Sequence, residues 1–184
     1  MEIKVLGVSG SPRRGGNSET ILDEVLRGAV EAGAATEKVV LSDRDVGPCR
    51  ACNACSRTRV CIQDDDMAMI VEKMDASRIW VLATPVYWWS PTAQMKTFID
   101  RWYGVPRELF SGKRVILGVA SGGGDVYADL TLRMLGEIIS YLGMEKFRVL
   151  RVSGANSKTS ARENAHLMKE ARAAGFDAVS TLKA

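Results

Sequence analysis

The sequence has a single histidine, His166, set in the polar pattern Arg162-Glu163-Asn164-Ala165-His166. No Ser-His-Asp or Cys-His nucleophile set can be drawn around it. Nothing visible tunes or orients the ring, so it reads as a surface helix residue. Long apolar runs are also lacking. No window approaches the roughly 20 residues that span a bilayer. The opening Met1-Glu2-Ile3-Lys4-Val5-Leu6-Gly7-Val8 is too short for a secretory segment and reads as a strand. Nor is there a surplus of one charge: 25 Lys and Arg face 22 Asp and Glu, a net +3. With no basic stripe interleaved with aromatics, nucleic acid is not indicated. There is no internal repeat, low-complexity tract or linker. A cytoplasmic location is expected, where thiols stay reduced. Cysteine is absent everywhere except between Cys49 and Cys61, where all four lie.

What is present suits one globular domain over 1–184: 184 residues, 46% hydrophobic and 26% charged. Short β-branched runs alternate with longer amphipathic ones. The strands expected are Ile3–Ser9, Glu37–Leu41, Arg78–Thr84, Arg114–Ala120 and Lys146–Val152. Their near-continuous apolar runs suit a parallel sheet covered on both faces. Helices are expected over Asn17–Ala32, Asp64–Met74, Pro91–Trp102, Val126–Leu142 and Asn164–Leu182. In the first, Ile21, Leu22, Val25, Leu26 and Ala29 share a stripe. In the fourth, Leu130, Met134, Leu135 and Ile138 repeat on one. Asp64, Asp65 and Asp66 suit the positive end of a helix better than a metal site. Pro91 suits a first helical turn. Five strands alternating with helices make a doubly wound α/β sheet, order 2-1-3-4-5. Ligands then gather outside the carboxyl ends of strands one and three. The irregular stretch 42–63, after strand two, holds every cysteine and is long enough to be functional.

Three loops fall at that sheet end. The first, Ser9-Gly10-Ser11-Pro12-Arg13-Arg14-Gly15-Gly16-Asn17-Ser18, joins a strand to a helix. Hydroxyls, free backbone N–H groups and a helix N-terminus converge there, which suits a phosphate dianion. Arg13 or Arg14 could add a charge-assisted bond. The spacing is neither a Walker loop nor G-x-G-x-x-G. The plain alternative is a Gly/Ser turn with Asn17 or Ser18 as N-cap. The second loop, Thr84-Pro85-Val86-Tyr87-Trp88-Trp89-Ser90-Pro91, offers flat aromatic surfaces. The third, Ala120-Ser121-Gly122-Gly123-Gly124-Asp125, offers bare backbone that can approach a ring edge. Tyr87, Trp88 and Trp89 could equally be core or subunit-interface aromatics.

Together these loops resemble the three flavin loops of the NADPH-dependent FMN reductase branch of the flavodoxin-like fold. The likeness runs from residue 1 to about residue 150. It implies FMN. Position by position, Ser9, Ser11, Arg13, Asn17 and Ser18 would hold the phosphate. Pro85, Val86, Tyr87, Trp88, Ser121, Gly122 and Gly123 would line the flavin ring.

Cys49, Cys52, Cys55 and Cys61 give C-x2-C-x2-C-x5-C. Two consecutive x2 gaps aim three thiolates at one compact centre, and a fourth closes it, as in [4Fe–4S] sites. Structural zinc, disulfides formed on oxidation and ordinary buried cysteines are the competing readings. Arg50, Arg57 and Arg59 lie within this loop. They could raise a cluster's potential, steer an acidic partner, or simply form a solvated face. With the flavin loops, the cysteines resemble the iron–sulfur flavoproteins. That resemblance implies one FMN and one [4Fe–4S] cluster per chain, a homodimer or homotetramer, ferredoxin as donor, and oxygen, peroxide or a quinone as acceptor. A rival reading is an NAD(P)H-dependent FMN or quinone reductase with zinc or no metal at the cysteines. Another is a flavodoxin-like electron carrier. The 2-1-3-4-5 order puts the cysteine loop at the sheet edge, away from the flavin ring. Cluster and flavin are therefore expected to meet across a subunit boundary, with Tyr87, Trp88, Trp89, Trp102 and Tyr103 at the interface.

Overall fold

The computed structural model describes residues 2–183. Met1 and Ala184, the ends of the expected 1–184 domain, lie outside the described residues. The strands are β1 (Lys4–Ser9), β2 (Ala35–Val40), β3 (Ile79–Tyr87), β4 (Ser90–Pro91), β5 (Arg114–Ala120) and β6 (Glu145–Val152). The α-helices are α1 (Asn17–Glu31), α2 (Cys55–Thr58), α3 (Met67–Ala76), α4 (Ala93–Asp100), α5 (Val126–Tyr141), α6 (Ser160–Glu163) and α7 (Ala165–Lys183). The parallel strands run in the order β2-β1-β3-β5-β6. The sheet has six strands rather than the expected five, because the two-residue β4 folds back antiparallel on the end of β3. Pro91 therefore pairs with Val86 instead of opening a helix. The helix starts two residues later, where the Thr92 side chain caps it by accepting from the Met95 N–H at 3.3 Å.

Alternate residues of each long strand face opposite layers, as the period of two requires. Val5, Ile79, Val81, Ala83 and Ile116 face α1 and α7. Leu6, Val8, Trp80, Leu82, Val115, Leu117 and Val119 face α3, α4 and α5. Full burial of each such Val, Leu or Ile side chain contributes roughly 1.5–3 kcal/mol. Helix α1 lies close on the sheet because Gly7 and Gly118 are bare. A Cβ on Gly7 would come within 3.0 Å of Leu26, and one on Gly118 within 3.1 Å of Ile21. This seating fixes the helix N-terminus over the end of β1. In α5 the buried residues are Ala128, Thr131, Leu132, Leu135 and Ile139, while Leu130 is exposed. The buried stripe thus differs from the expected one, since Leu130 was placed on it. Trp102 likewise belongs to the core and not to a surface: it packs on Trp80, Phe98 and Phe110. Lys113, buried, donates its ammonium to the carbonyls of Met74, Asp75 and Ser77 and so closes the end of α3. Among the described residues no helix is long and apolar enough to cross a membrane.

Candidate functional site

The β1–α1 loop is held open from beneath. The Gly10 N–H continues the sheet to the Ala83 carbonyl at 2.8 Å, and Thr92 Oγ1 donates to the Gly10 carbonyl at 2.6 Å. Gly10 is required here, because a Cβ would lie 2.7 Å from that of Met95. Further along, Gly15 adopts φ +63° and its N–H donates to the buried Glu19 carboxylate at 2.5 Å. Burial works against the Glu19 charge. The Gly15 N–H, Lys38 and Arg14 outweigh it and hold the carboxyl below its ordinary range. Arg14 is turned toward Glu19 and Asp43, so Arg13 is the arginine left at the cleft.

The N-cap of α1 is Gly16, with no side-chain cap bond. The alternative reading, with Asn17 or Ser18 as N-cap, does not hold. Asn17 instead donates to the Ser157 carbonyl at 2.7 Å and accepts from the Ala161 N–H at 2.9 Å. Its side chain is spent on tying the loop to the C-terminal segment. The first-turn N–H groups of α1 are thus free of side-chain caps, at the positive end of a 15-residue helix. Beside them, the hydroxyls of Ser9 and Ser18 are buried without a partner. Leaving such a group unsatisfied costs about 1–3 kcal/mol. An oxyanion seated here would relieve that cost, so the residues present fit the phosphate end of FMN.

The cleft above this loop brings together Ser11, Arg13, Asn17, Ser18, Pro85, Val86, Tyr87 and Gly122, and with them Gly16, Ala120, Ala155 and Lys158. Ser9 lies in the buried floor and does not line it. A second cleft adjoins through Val86 and Gly122 and adds Trp88, Trp89, Ser121, Gly123 and Tyr127. Its wall is the β3–β4 turn, where Trp88 and Trp89 take φ +51° and +59°. Two successive left-handed residues are the geometry of a tight hairpin that favours Asn-Gly, so bulky indoles there store strain. Trp88 is 89% exposed, while Thr131 Oγ1 pins the Trp89 carbonyl at 2.9 Å. The Tyr127 ring lies over Gly123, 2.3 Å from where a Cβ would be. Lys158, Ala155 and Tyr127 escaped the sequence reading because they follow the loops rather than sit within them.

The cysteines occupy the segment between β2 and α3. All four line one small cleft, with Arg50, Gln63, Arg101, Tyr103 and Gly104. None is in a disulfide. Among the described residues no three His, Cys, Asp or Glu side chains converge as they would on a single metal ion. The segment turns through left-handed residues at Ala51, Asn53 and Arg59. Gly104 allows the cysteines close approach, since a Cβ there would lie 3.3 Å from that of Cys61 and 3.6 Å from that of Cys55. Of the loop's own arginines, Arg50 reaches the cleft, while Arg59 pairs with Glu108 at 3.0 Å. The arginine that touches sulfur is Arg101, with Nη2 3.4 Å from Cys61 Sγ. It lies 40 residues away in sequence, beyond the reach of spacing arguments. Helix α3 begins at Met67 rather than at the expected Asp64, but the aspartates do stand at its positive end: Asp66 is its N-cap and Asp65 Oδ1 accepts from the Met67 N–H at 3.1 Å. Asp65 also pairs with Arg101 and accepts from the Gly47 N–H, and Asp66 accepts from the Asp45 N–H. Four free thiols around one cleft are the ligand type of a sulfur-ligated cluster, although they do not converge as on a single metal ion.

An iron-sulfur flavoprotein of Methanosarcina thermophila is 41% identical over 122 residues, 66% of this chain and 64% of that protein. One from Archaeoglobus fulgidus is 40% identical over 99 residues, 54% and 45% of the two chains. The chain therefore spans less than two thirds of these curated relatives. Among solved structures, the NAD(P)H:quinone oxidoreductase from Methanothermobacter marburgensis superposes with TM-score 0.75 at 19% identity, over 97% of this chain and 98% of that one. An FMN-dependent NADH-azoreductase from Bacillus anthracis, solved with FMN, gives TM-score 0.69 at 18% identity, over 98% and 99%. At such identities the likeness is one of fold, which is flavodoxin-like with a parallel sheet. The model of the NADPH-dependent FMN reductase family matches residues 3–154, and the chain belongs to that family.

Proposed function

We propose that this chain is a redox flavoprotein that binds FMN at the β1–α1, β3–β4 and β5–α5 loops and a [4Fe–4S] cluster at Cys49, Cys52, Cys55 and Cys61. The observation that carries the flavin half is the buried, partnerless hydroxyl of Ser18, which lines the cleft at the uncapped start of α1. When bound, the cluster supplies one-electron and the flavin one- or two-electron chemistry. The chain's own part is placement. The N-terminus of α1 and Arg13 face the phosphate, and Lys158 offers a second cation at the same cleft. Glu19 keeps the loop in its left-handed turn at Gly15. The backbone of 121–123 and the aromatics of the β3–β4 turn bound the ring site. No side chain is required as a nucleophile. In this reading ferredoxin is the donor and oxygen, peroxide or a quinone the acceptor.

The cysteine cleft and the flavin clefts share no lining residue. That separation supports a homo-oligomer in which the cysteine loop of one chain serves the flavin of another. A second reading, an NAD(P)H-dependent reductase without a cluster, is favoured by the open aromatic cleft beside Gly122. The same opening counts against a bare electron carrier. Anaerobic purification followed by flavin, iron and sulfide analysis decides between them. About one FMN, four iron and four sulfide per chain is expected. FMN with zinc or no metal, together with NADPH turnover, would establish the second reading instead. A protein that takes up no FMN would remove both.

A further inference from the structure

Arg101 begins the 3-10 turn after α4, and its side chain is 1% exposed. A buried charge is costly unless it is paired and hydrogen-bonded. Here every side-chain hydrogen bond goes to the cysteine segment. Nη1 donates to the Gly47 carbonyl at 2.9 Å and to Asp65 Oδ2. Nη2 donates to Asp65 Oδ1 at 3.1 Å and to Cys61 Sγ at 3.4 Å. Asp65 in turn accepts from the N–H groups of Gly47 and Met67, both at 3.1 Å. One planar fork therefore reaches both ends of the segment, Gly47 before the first cysteine and Cys61 at the last. The buried ion pair is a local dipole with its positive end on the sulfur.

We propose that Arg101 is the positioning residue that holds Cys61 in the ligand set and raises the reduction potential of the bound cluster, with Asp65 as its opposing partner. The proposal rests on the cluster reading above. Reduction of the cluster by a low-potential one-electron donor adds one electron and no proton, and no bond forms or breaks. The centre becomes more negative by one charge. A guanidinium stays protonated throughout, so its fixed charge and its N–H···S bond favour the reduced form. The arginines within the loop are placed less well for this, Arg57 and Arg59 being exposed and Arg59 paired with Glu108.

The test is a dithionite redox titration of the anaerobically purified full chain, followed by electron paramagnetic resonance, with iron and sulfide measured on every sample. Arg101→Gln should shift the oxidised-to-reduced ratio at fixed potential about tenfold toward oxidised, which is about 59 mV downward for one electron. Arg101→Lys should recover most of that shift. Asp65→Asn breaks the same ion pair but removes a negative charge, so it should shift the potential upward. Opposite signs from two variants of one pair distinguish electrostatics from simple loosening. Iron retained with an unshifted potential in Arg101→Gln, or equal downward shifts in both variants, would overturn the inference and leave the cluster reading intact. Wild-type protein without iron would overturn both. Should Arg101→Gln lose its iron, Asp65→Asn decides: an upward shift supports the inference and no shift refutes it.

Discussion

Ser18 carries opposite obligations with and without an anion. Ser18 Oγ has no partner in the bare protein. Ser18→Ala should therefore leave the FMN-free protein equally stable or stabilise it by up to about 1 kcal/mol, as urea denaturation would read. The same change should weaken FMN binding roughly tenfold, measured by quenching of flavin fluorescence, because a hydrogen bond to a charged group is lost. A drop in the stability of the FMN-free form would show that the hydroxyl has another role. Asp65 behaves differently. Burial raises its pKa, but Arg101 and the N–H groups of Gly47 and Met67 outweigh burial and hold it below the usual range. Its stabilisation is thus complete above about pH 4, the unfolded value, and fades as pH falls through the lower folded value. Asp65→Asn should cost about 2 kcal/mol at pH 7. The gap from wild type should narrow below pH 4. A gap independent of pH would mean that the charge is not what matters.

At the scale of elements, α1 and α7 meet backbone to backbone. A Cβ on Gly28 would lie 1.9 Å from the Arg172 carbonyl oxygen, and one on Gly175 the same distance from that of Val25. Gly28→Ala, which would raise helix propensity on an open surface, should here destabilise by roughly 3 kcal/mol or more because backbone cannot yield cheaply. A neutral result in thermal melts would show that the helices slide. The β3–β4 turn responds in the other sense. Trp88 is almost wholly exposed and left-handed, so Trp88→Gly should stabilise the chain by about 1 kcal/mol. Slower turnover of a quinone or similar acceptor in that variant would show what the strain supports. Element boundaries were legible where the local signal was strong. Asn17 opens α1 and Arg114–Ala120 is β5, both as the sequence predicts. The start of α3 was not legible, because the aspartates before it serve a distant arginine and the neighbouring backbone. The β4 strand was hidden by Pro91, whose preference for a first helical turn yields to a two-residue hairpin.

For the whole molecule, the winding order was readable from alternating apolar runs, and it placed three loops at one sheet end. Eight of the twelve residues named from the sequence line the cleft above the β1–α1 loop, and three more, Trp88, Ser121 and Gly123, line the cleft beside it. Loop membership is local, and spacing conveys it. Glu19, which braces the first of those loops, Arg101, which braces the cysteine segment, and the wall built by Ala155 and Lys158 are tertiary features that no spacing encodes. Asn17 joins the two kinds. By clasping Ser157 and Ala161, it fastens the start of α1 to a segment that begins where the family's shared region ends. A cofactor that immobilises the start of α1 must also damp the opening motions of 155–161. FMN should accordingly slow amide hydrogen exchange in that stretch, and Asn17→Ala should abolish the slowing while the sheet exchanges as before. Cofactor capture and the anchoring of the C-terminal helix would then be one cooperative event, and loss of flavin would mark this chain for cleavage near residue 157 first.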